Sequence, residues 1–424
     1  MIRINLDYLK EQPQFDTYQE RIKKIHQGMN DLSLPGNDFL GWATLPLNLD
    51  HNEIEQIKKT AQEIRSRVDI LVVVGIGGSY LGARAVIEAL NGLRPLAKKP
   101  EIIFLGQTFS STYTAQVLSY LQGKKFAINV ISKSGTTTET SIAFRLVRNL
   151  LISQVGKDAA RNLIVATTDK NKGVLRNLSL KEGYQMFVLP ENIGGRYSVF
   201  TPVGLLPIAV AGINIDDLLA GALNGYQRYN NADLESAANR YAITRNALYQ
   251  ANKKVELFVT YEPQLHELQE WFKQLFGESE GKEHQGIFPT AATFSTDLHS
   301  LGQFIQEGSP LLFETILNIK QPVLNLSIPH DDDNLDELNY LAGKTLNEVN
   351  EKAMMGTLEA HSHTGRVNNI ILEIPDLTTK TLGELLYFFM YACAVSSYLL
   401  EVNPFDQPGV EVYKKNMFKL LGKK

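Results

Sequence analysis

Between residues 70 and 189, short runs made almost wholly of apolar residues recur about one helix length apart. They are ILVVV (70–74), IIFL (102–105), AINVI (127–131), LIVAT (163–167) and MFVL (186–189), each followed by a helical stretch or a loop. Runs without alternation belong to strands covered on both faces, so this series predicts a parallel sheet flanked by helices. After a helical interval a second series begins, with VELFVTY (255–261), VLNLSI (323–328) and NIILEI (369–374) as strands. Between and after these strands, helical patterns cover 232–251, 264–276, 346–361 and 382–400. The simplest account is α/β: two halves, 46–213 and 214–424, behind an N-terminal segment, 1–45, that packs on the body. No fixed-period repeat or low-complexity tract interrupts them, and HDDDN (330–334) reads as an exposed turn.

Length and composition agree with two domains: 424 residues, 44% of them hydrophobic, exceed one ordinary globular unit. With 42 basic and 46 acidic residues the chain has no bulk attraction for nucleic acid or an anionic membrane, so any anionic ligand must be met locally. Its one cysteine, Cys393, excludes an internal disulfide framework and suits a reducing compartment. The first residues, MIRINLDYLKEQPQF, carry charges throughout and lack the apolar run of a secretory signal, so the expected location is the cytoplasm. The most apolar stretch, LLYFFMYACAVSSYLL (385–400), falls short of the roughly 20 residues that span a bilayer and reads as a buried core helix. Apolarity on every side calls for cover by its own domain and by a second subunit.

Two loops at strand ends carry candidate chemistry. GIGGSYLG (75–82) follows the first strand, where an open parallel sheet gathers its ligands. It is not a dinucleotide fingerprint, because Tyr80 stands where the third glycine is needed and no acidic residue ends the next strand. No Gly-Lys-Ser or Gly-Lys-Thr follows to make a P-loop. What remains is a backbone that an anion can approach closely at Gly78, with the Ser79 hydroxyl at a helix start. The second loop, ISKSGTTTET (131–140), places six hydroxyl residues and one lysine before a helix. Capping uses one or two hydroxyls, so the excess points to a phosphate held without a metal.

These loops, with GGRYSVFTPVGLLPIAVAGI (194–213), GESEGK (277–282), STDLHSLGQF (295–304) and FDQPGVEVYKK (405–415), closely resemble the glucose-6-phosphate isomerase family in its shorter bacterial form. The resemblance covers nearly the whole chain in the family's motif order. It implies two sugar-isomerase domains, each a parallel sheet flanked by helices. It also implies reversible interconversion of glucose 6-phosphate and fructose 6-phosphate through a cis-enediol, with no metal or other cofactor.

By motif, Ser79, Ser132, Lys133, Ser134 and Thr137 resemble the family's phosphate holders. The family pattern often has threonine and a bulky residue where this chain has Ser134 and Gly135, so the loop backbone is open to difference. The proton transfer calls for a partly buried carboxylate, and the residues alone do not choose among Glu278, Glu280 and Glu283. The resemblance selects Glu278, with Gln274 one helical turn earlier touching the substrate or the base.

Arg196 is implied as the group that stabilises the enediolate oxyanion. Ring opening falls to His299, on a helix that Thr296 is placed to cap, and to Lys414, chosen over Lys415 by family register. The family's histidine reaches a neighbouring subunit's site, so a homodimer is expected. Lys415, Lys419, Lys423 and Lys424 read as solvated. His361 and His363, two apart on a helix, point away from each other and read as structural or surface residues. Two rivals stand beside this reading: an isomerase of the same fold acting on mannose or amino-sugar phosphates, and a phosphosugar-sensing regulator that binds without converting.

Overall fold

The computed structural model describes residues 1–92 and 100–422, so Lys423 and Lys424 lie outside the described residues. The strands are β1 (Arg3–Asn5), β2 (Ile70–Val74), β3 (Glu101–Leu105), β4 (Phe126–Ile131), β5 (Ile164–Thr168), β6 (Gln185–Val188), β7 (Val255–Thr260), β8 (Phe288–Thr293), β9 (Leu312–Ile319) and β10 (Asn368–Ile374). Nine helices enter the argument: α1 (Leu81–Asn91), α2 (Thr138–Val155), α3 (Ile215–Tyr229), α4 (Ala237–Gln250), α5 (His266–Glu280), α6 (Leu298–Glu307), α7 (Leu346–Glu359), α8 (Thr379–Leu399) and α9 (Val410–Leu420).

Two five-stranded sheets form. The first is all parallel in the order β3-β2-β4-β5-β6, and the second runs β8-β7-β9-β10 in parallel with β1 added antiparallel at its edge. Both therefore repeat one winding: the first strand is central, the second falls to one side, the third to the other. Side chains of β2 show why its sequence is continuous rather than alternating. Leu71 and Val73 enter a core shared with Phe258 of β7, while Ile70, Val72 and Val74 fill a separate core on the outer face.

Helix α8 lies in the shared core and is buried along its length. Its cover comes from its own chain, chiefly α3, α4 and α5, and does not require the second subunit that its apolarity suggested. Small residues make this close: a Cβ on Gly221 of α3 would stand 2.0 Å from the Lys380 carbonyl oxygen, and one on Gly383 would stand 2.1 Å from that of Leu218. Burial pushes the Cys393 thiol up to about 11, and it donates to the Leu275 carbonyl, as a structural thiol does.

The second sheet departs from the sequence reading. Residues 323–328 form no strand; only an isolated bridge joins Ser327 to Thr345. The third parallel strand of that sheet is β9, whose apolar run is broken in sequence by Glu314 and Thr315. Both are wholly buried because His361 and Glu256 partner them. Strand β8 escaped notice because FPTAAT is only weakly apolar, and its Pro289 is tolerated at a sheet edge.

Candidate active site

With this winding, the topological switch point of the first sheet is the crevice between the carboxyl ends of β2 and β4. Both candidate phosphate loops open there. The glycine loop leaves β2 through a single 3₁₀ turn, Gly77–Ser79, into α1. The hydroxyl loop leaves β4 and enters α2, whose N-cap is Thr137; that hydroxyl makes no capping bond. Ser132 Oγ accepts from Gly135 N at 3.0 Å and Ser134 Oγ from Thr136 N at 3.1 Å, which folds the loop on itself. Gly135 has φ +73°, and a Cβ there would meet Leu175 N at 2.3 Å, so the departure from the family pattern is a position only glycine fills. Lys133 is exposed, with Nζ 3.3 Å from the Glu191 carbonyl oxygen.

The three carboxylates of GESEGK separate cleanly. Glu278 and Glu280 lie in the last turn of α5, not in the loop after it, because the helix continues through Gly277 to Glu280. Glu280 is wholly buried against Arg245, and Glu283 is exposed beyond the helix at φ +51°. Glu278 alone faces the glycine loop's neighbours. One of its oxygens accepts from Gln274 Nε2 at 3.1 Å, the other from Arg196 Nη1 at 3.0 Å, and its side chain keeps 35% of its exposure. Gln274 touches the loop in turn: a Cβ on Gly77 would lie 2.8 Å from its Nε2.

Arg196 is buried, unlike most arginines of glycine-rich loops. Its Nε donates to Ser279 Oγ at 2.8 Å, its Nη1 also to Gln407 Oε1 at 3.0 Å, and its Nη2 to the carbonyls of Pro404 and Asp406. Gly195 before it presses on Gly78, whose added Cβ would stand 2.1 Å from Gly195 C and 2.6 Å from Arg196 N. Gly78 is thus a packing requirement that brings the glycine loop and the Arg196 backbone together. Lys282 ties the same neighbourhood from beyond α5. Its Nζ reaches the Ser279 and Asn403 carbonyls and Asp406 Oδ1, and burial, more than the nearby Arg196 charge, pulls its ammonium below the usual lysine range.

Ser279, Lys282 and Gln407 were not singled out in the sequence, although all three lie inside the quoted motifs. Only the closure of 403–407 over Arg196 shows their place.

Two predicted residues do not join this cluster within the chain. Lys414 sits on α9, just past the segment Arg196 holds, and pairs with Glu411 at 2.9 Å. His299 is exposed in α6, beyond the carboxyl end of β8. Gly277 packs by Pro289, so Glu278 lies toward the amino end of β8, whereas His299 lies beyond its carboxyl end. Thr296 does not cap α6: Asp297 holds the N-cap position without a side-chain capping bond, its Oδ2 accepting instead from Thr293 N at 2.7 Å. The two histidines of 361–363 diverge, His361 turning inward to Glu314 at 2.9 Å and His363 outward. Among the described residues no group of three or more metal-ligating side chains converges.

Comparison with known proteins gives the family. A family model described as phosphoglucose isomerase matches residues 53–423. The chain is 54% identical over 412 residues to a glucose-6-phosphate isomerase of Bacillus cereus (strain ATCC 10987 / NRS 248), covering 96% of this chain and 91% of that one. It is 53% identical over 409 residues to one of Mesoplasma florum, covering 96% of each. In structure it matches a glucose-6-phosphate isomerase from Chlamydia trachomatis with a TM-score of 0.84 over 99% of this chain and 88% of the other, at 18% identity, which speaks to the fold. A glycine loop and a hydroxyl loop at one switch point, joined to a carboxylate and a buried arginine, accompany a family match over most of the chain: this chain belongs to the phosphoglucose isomerase family.

Proposed function

We propose that the chain is an aldose–ketose isomerase that interconverts glucose 6-phosphate and fructose 6-phosphate in glycolysis and gluconeogenesis. The observation that carries this reading is Glu278, held between Gln274 and Arg196 beside the switch-point loops. The sugar's phosphate rests on Ser79, Ser132, Lys133, Ser134 and Thr137, with the backbone at Gly78 close by. Anchored there, its carbonyl end lies in register with the base.

The Glu278 carboxylate removes a proton from one of C1 and C2 and returns it to the other by way of a cis-enediol(ate). Its two hydrogen bonds fix which oxygen faces the substrate. The Arg196 guanidinium, already desolvated, sits where negative charge develops on the enediolate oxygen. No step requires a metal or other cofactor. Lys414 serves ring opening from the second turn of α9.

His299 serves the same step in the site of a second copy, in a homodimer. Its distance from Glu278 within one chain supports this, and so does the apolar surface near it. On α6 Leu301 and Phe304 are exposed, and on the following segment Val323, Leu324 and Leu326 are 66%, 82% and 66% exposed. Apolar residues so placed gain by burial against a partner. A cytoplasmic, reducing location accords with the single buried thiol.

A coupled assay of chelator-treated protein on fructose 6-phosphate tests the reading, with clear turnover expected; binding without turnover would favour a sensing role instead. Parallel assays on mannose 6-phosphate and glucosamine 6-phosphate set substrate choice. Glu278→Gln should lower kcat by about four orders of magnitude while phosphate-sugar affinity stays, because only transition-state chemistry is removed. Near-normal turnover in that variant moves the base elsewhere.

A further inference from the structure

Glu280 lies two residues past Glu278, which is about 200° around a helix, so its side chain leaves the opposite face. Arg245 of α4 receives it there. Arg245 Nη1 and Nη2 donate to the two carboxylate oxygens, the latter at 3.2 Å. The same Nη1 donates to Ser396 Oγ of α8 at 2.7 Å, and Nε donates to Glu256 Oε2 of β7 at 2.8 Å. Glu256 also accepts from Tyr241 and, at 2.7 Å, from Thr315. Arg245, Glu256 and Glu280 have no exposed side-chain surface, and the guanidinium lies 4.1 Å from the Phe276 ring centre.

Burying one guanidinium and two carboxylates is costly, and apolar side chains of similar volume often hold such a place as firmly. Apolar contacts, however, leave a helix end free to turn in small steps, whereas a forked pair fixes its rotation. A helix with side chains is about 5–6 Å in radius, so turning its last turn by 20° moves a carboxylate roughly 2 Å. Such a displacement would take Glu278 out of reach of Arg196 or Gln274.

We propose that the Glu280–Arg245 fork is a positioning device that sets the rotation of the final turn of α5 and so holds Glu278 against Arg196. The claim rests on Glu278 being the base. Neither Glu280 nor Arg245 meets the substrate; both act through Glu278.

The test is steady-state kinetics on fructose 6-phosphate with Glu280→Met and Glu280→Gln, alongside thermal unfolding. Either variant leaves Arg245 paired with Glu256. Glu280→Met should lower kcat about 10- to 100-fold with KM within about twofold, the signature of a misplaced group rather than lost binding. Glu280→Gln keeps one acceptor and should recover several-fold of that loss. A folded Glu280→Met protein with kcat within about twofold of the parent overturns the proposal, as does a kcat loss that vanishes on correction for the folded fraction. If Glu280→Met does not fold, Glu280→Gln decides alone: a several-fold lower kcat at unchanged KM supports the device, and a parental kcat removes it. Glu278→Gln separates the two levels. An inactive Glu278→Gln beside unaffected Glu280 variants defeats only the positioning claim, whereas an active Glu278→Gln defeats the base and this proposal with it.

Discussion

The two sheets share one winding, yet the crevices at their switch points differ in kind. Between β2 and β4 the walls are glycine backbone and hydroxyls, with Lys133 beside them. Beyond β7, β8 and β9 a cavity of about 540 Å³ is instead walled by Tyr261, Phe294, Pro322, Leu324 and Leu326, with Glu262 and Asn350 among them. Strand order creates the opening in both cases; the loops decide what it holds. The first opening presents backbone N–H groups, hydroxyls and one ammonium. The second is covered by apolar chain that also faces outward, next to the helix bearing His299.

Breaking the first crevice should have the largest effect. Gly78→Ala drives a Cβ into the backbone of Gly195 and Arg196, so we expect about 1–3 kcal/mol lost in unfolding free energy. Turnover should fall about 100-fold as Arg196 shifts from Glu278. A crystal structure and kinetics of the variant check this, and unchanged turnover would mean that loop and guanidinium are not coupled.

The second crevice is probed by Leu324→Asp. The side chain is 82% exposed, so the fold of one chain should be nearly unaffected. If a second copy covers it, association should weaken at least about 100-fold, equivalent to about 3 kcal/mol, seen by sedimentation. Activity should fall with dimer content because His299 leaves the shared site. A fully active monomer breaks the shared-site picture.

The smallest effect concerns the tie between halves. Arg84 on α1 reaches Glu267 at the start of α5 at 3.1 Å. Burial of Glu267 outweighs that pairing and holds its carboxyl above the ordinary range. The folded state therefore binds more protons than the unfolded chain just above pH 4.5, and this group's contribution to stability declines as pH rises through its raised folded value. Glu267→Gln should remove that slope from the melting temperature plotted against pH, leaving turnover intact. An unchanged slope assigns it to other carboxylates.

Legibility in the sequence followed the same division. Strands of the first sheet could be read within a residue or so at each end, since continuous apolar runs leave few other readings. The second sheet misled more than once. Buried Glu314 hid β9, because its partner His361 lies 47 residues away. Apolar 323–328 imitated a strand, because exposed apolar residues look like core in a one-dimensional pattern.

What sequence alone determined is therefore local. It set the strand-loop-helix units of the first half, the glycine and hydroxyl content of two loops, and the motif order of the family. Choosing one carboxylate from Glu278, Glu280 and Glu283 by geometry was beyond it, as was the burial of Arg196 and the separation of His299 from Glu278. Those depend on contacts between residues tens to hundreds of positions apart. Arg196 meets Glu278 82 residues on and Gln407 211 residues on, and only the closing of both halves around α8 brings them within hydrogen-bond distance.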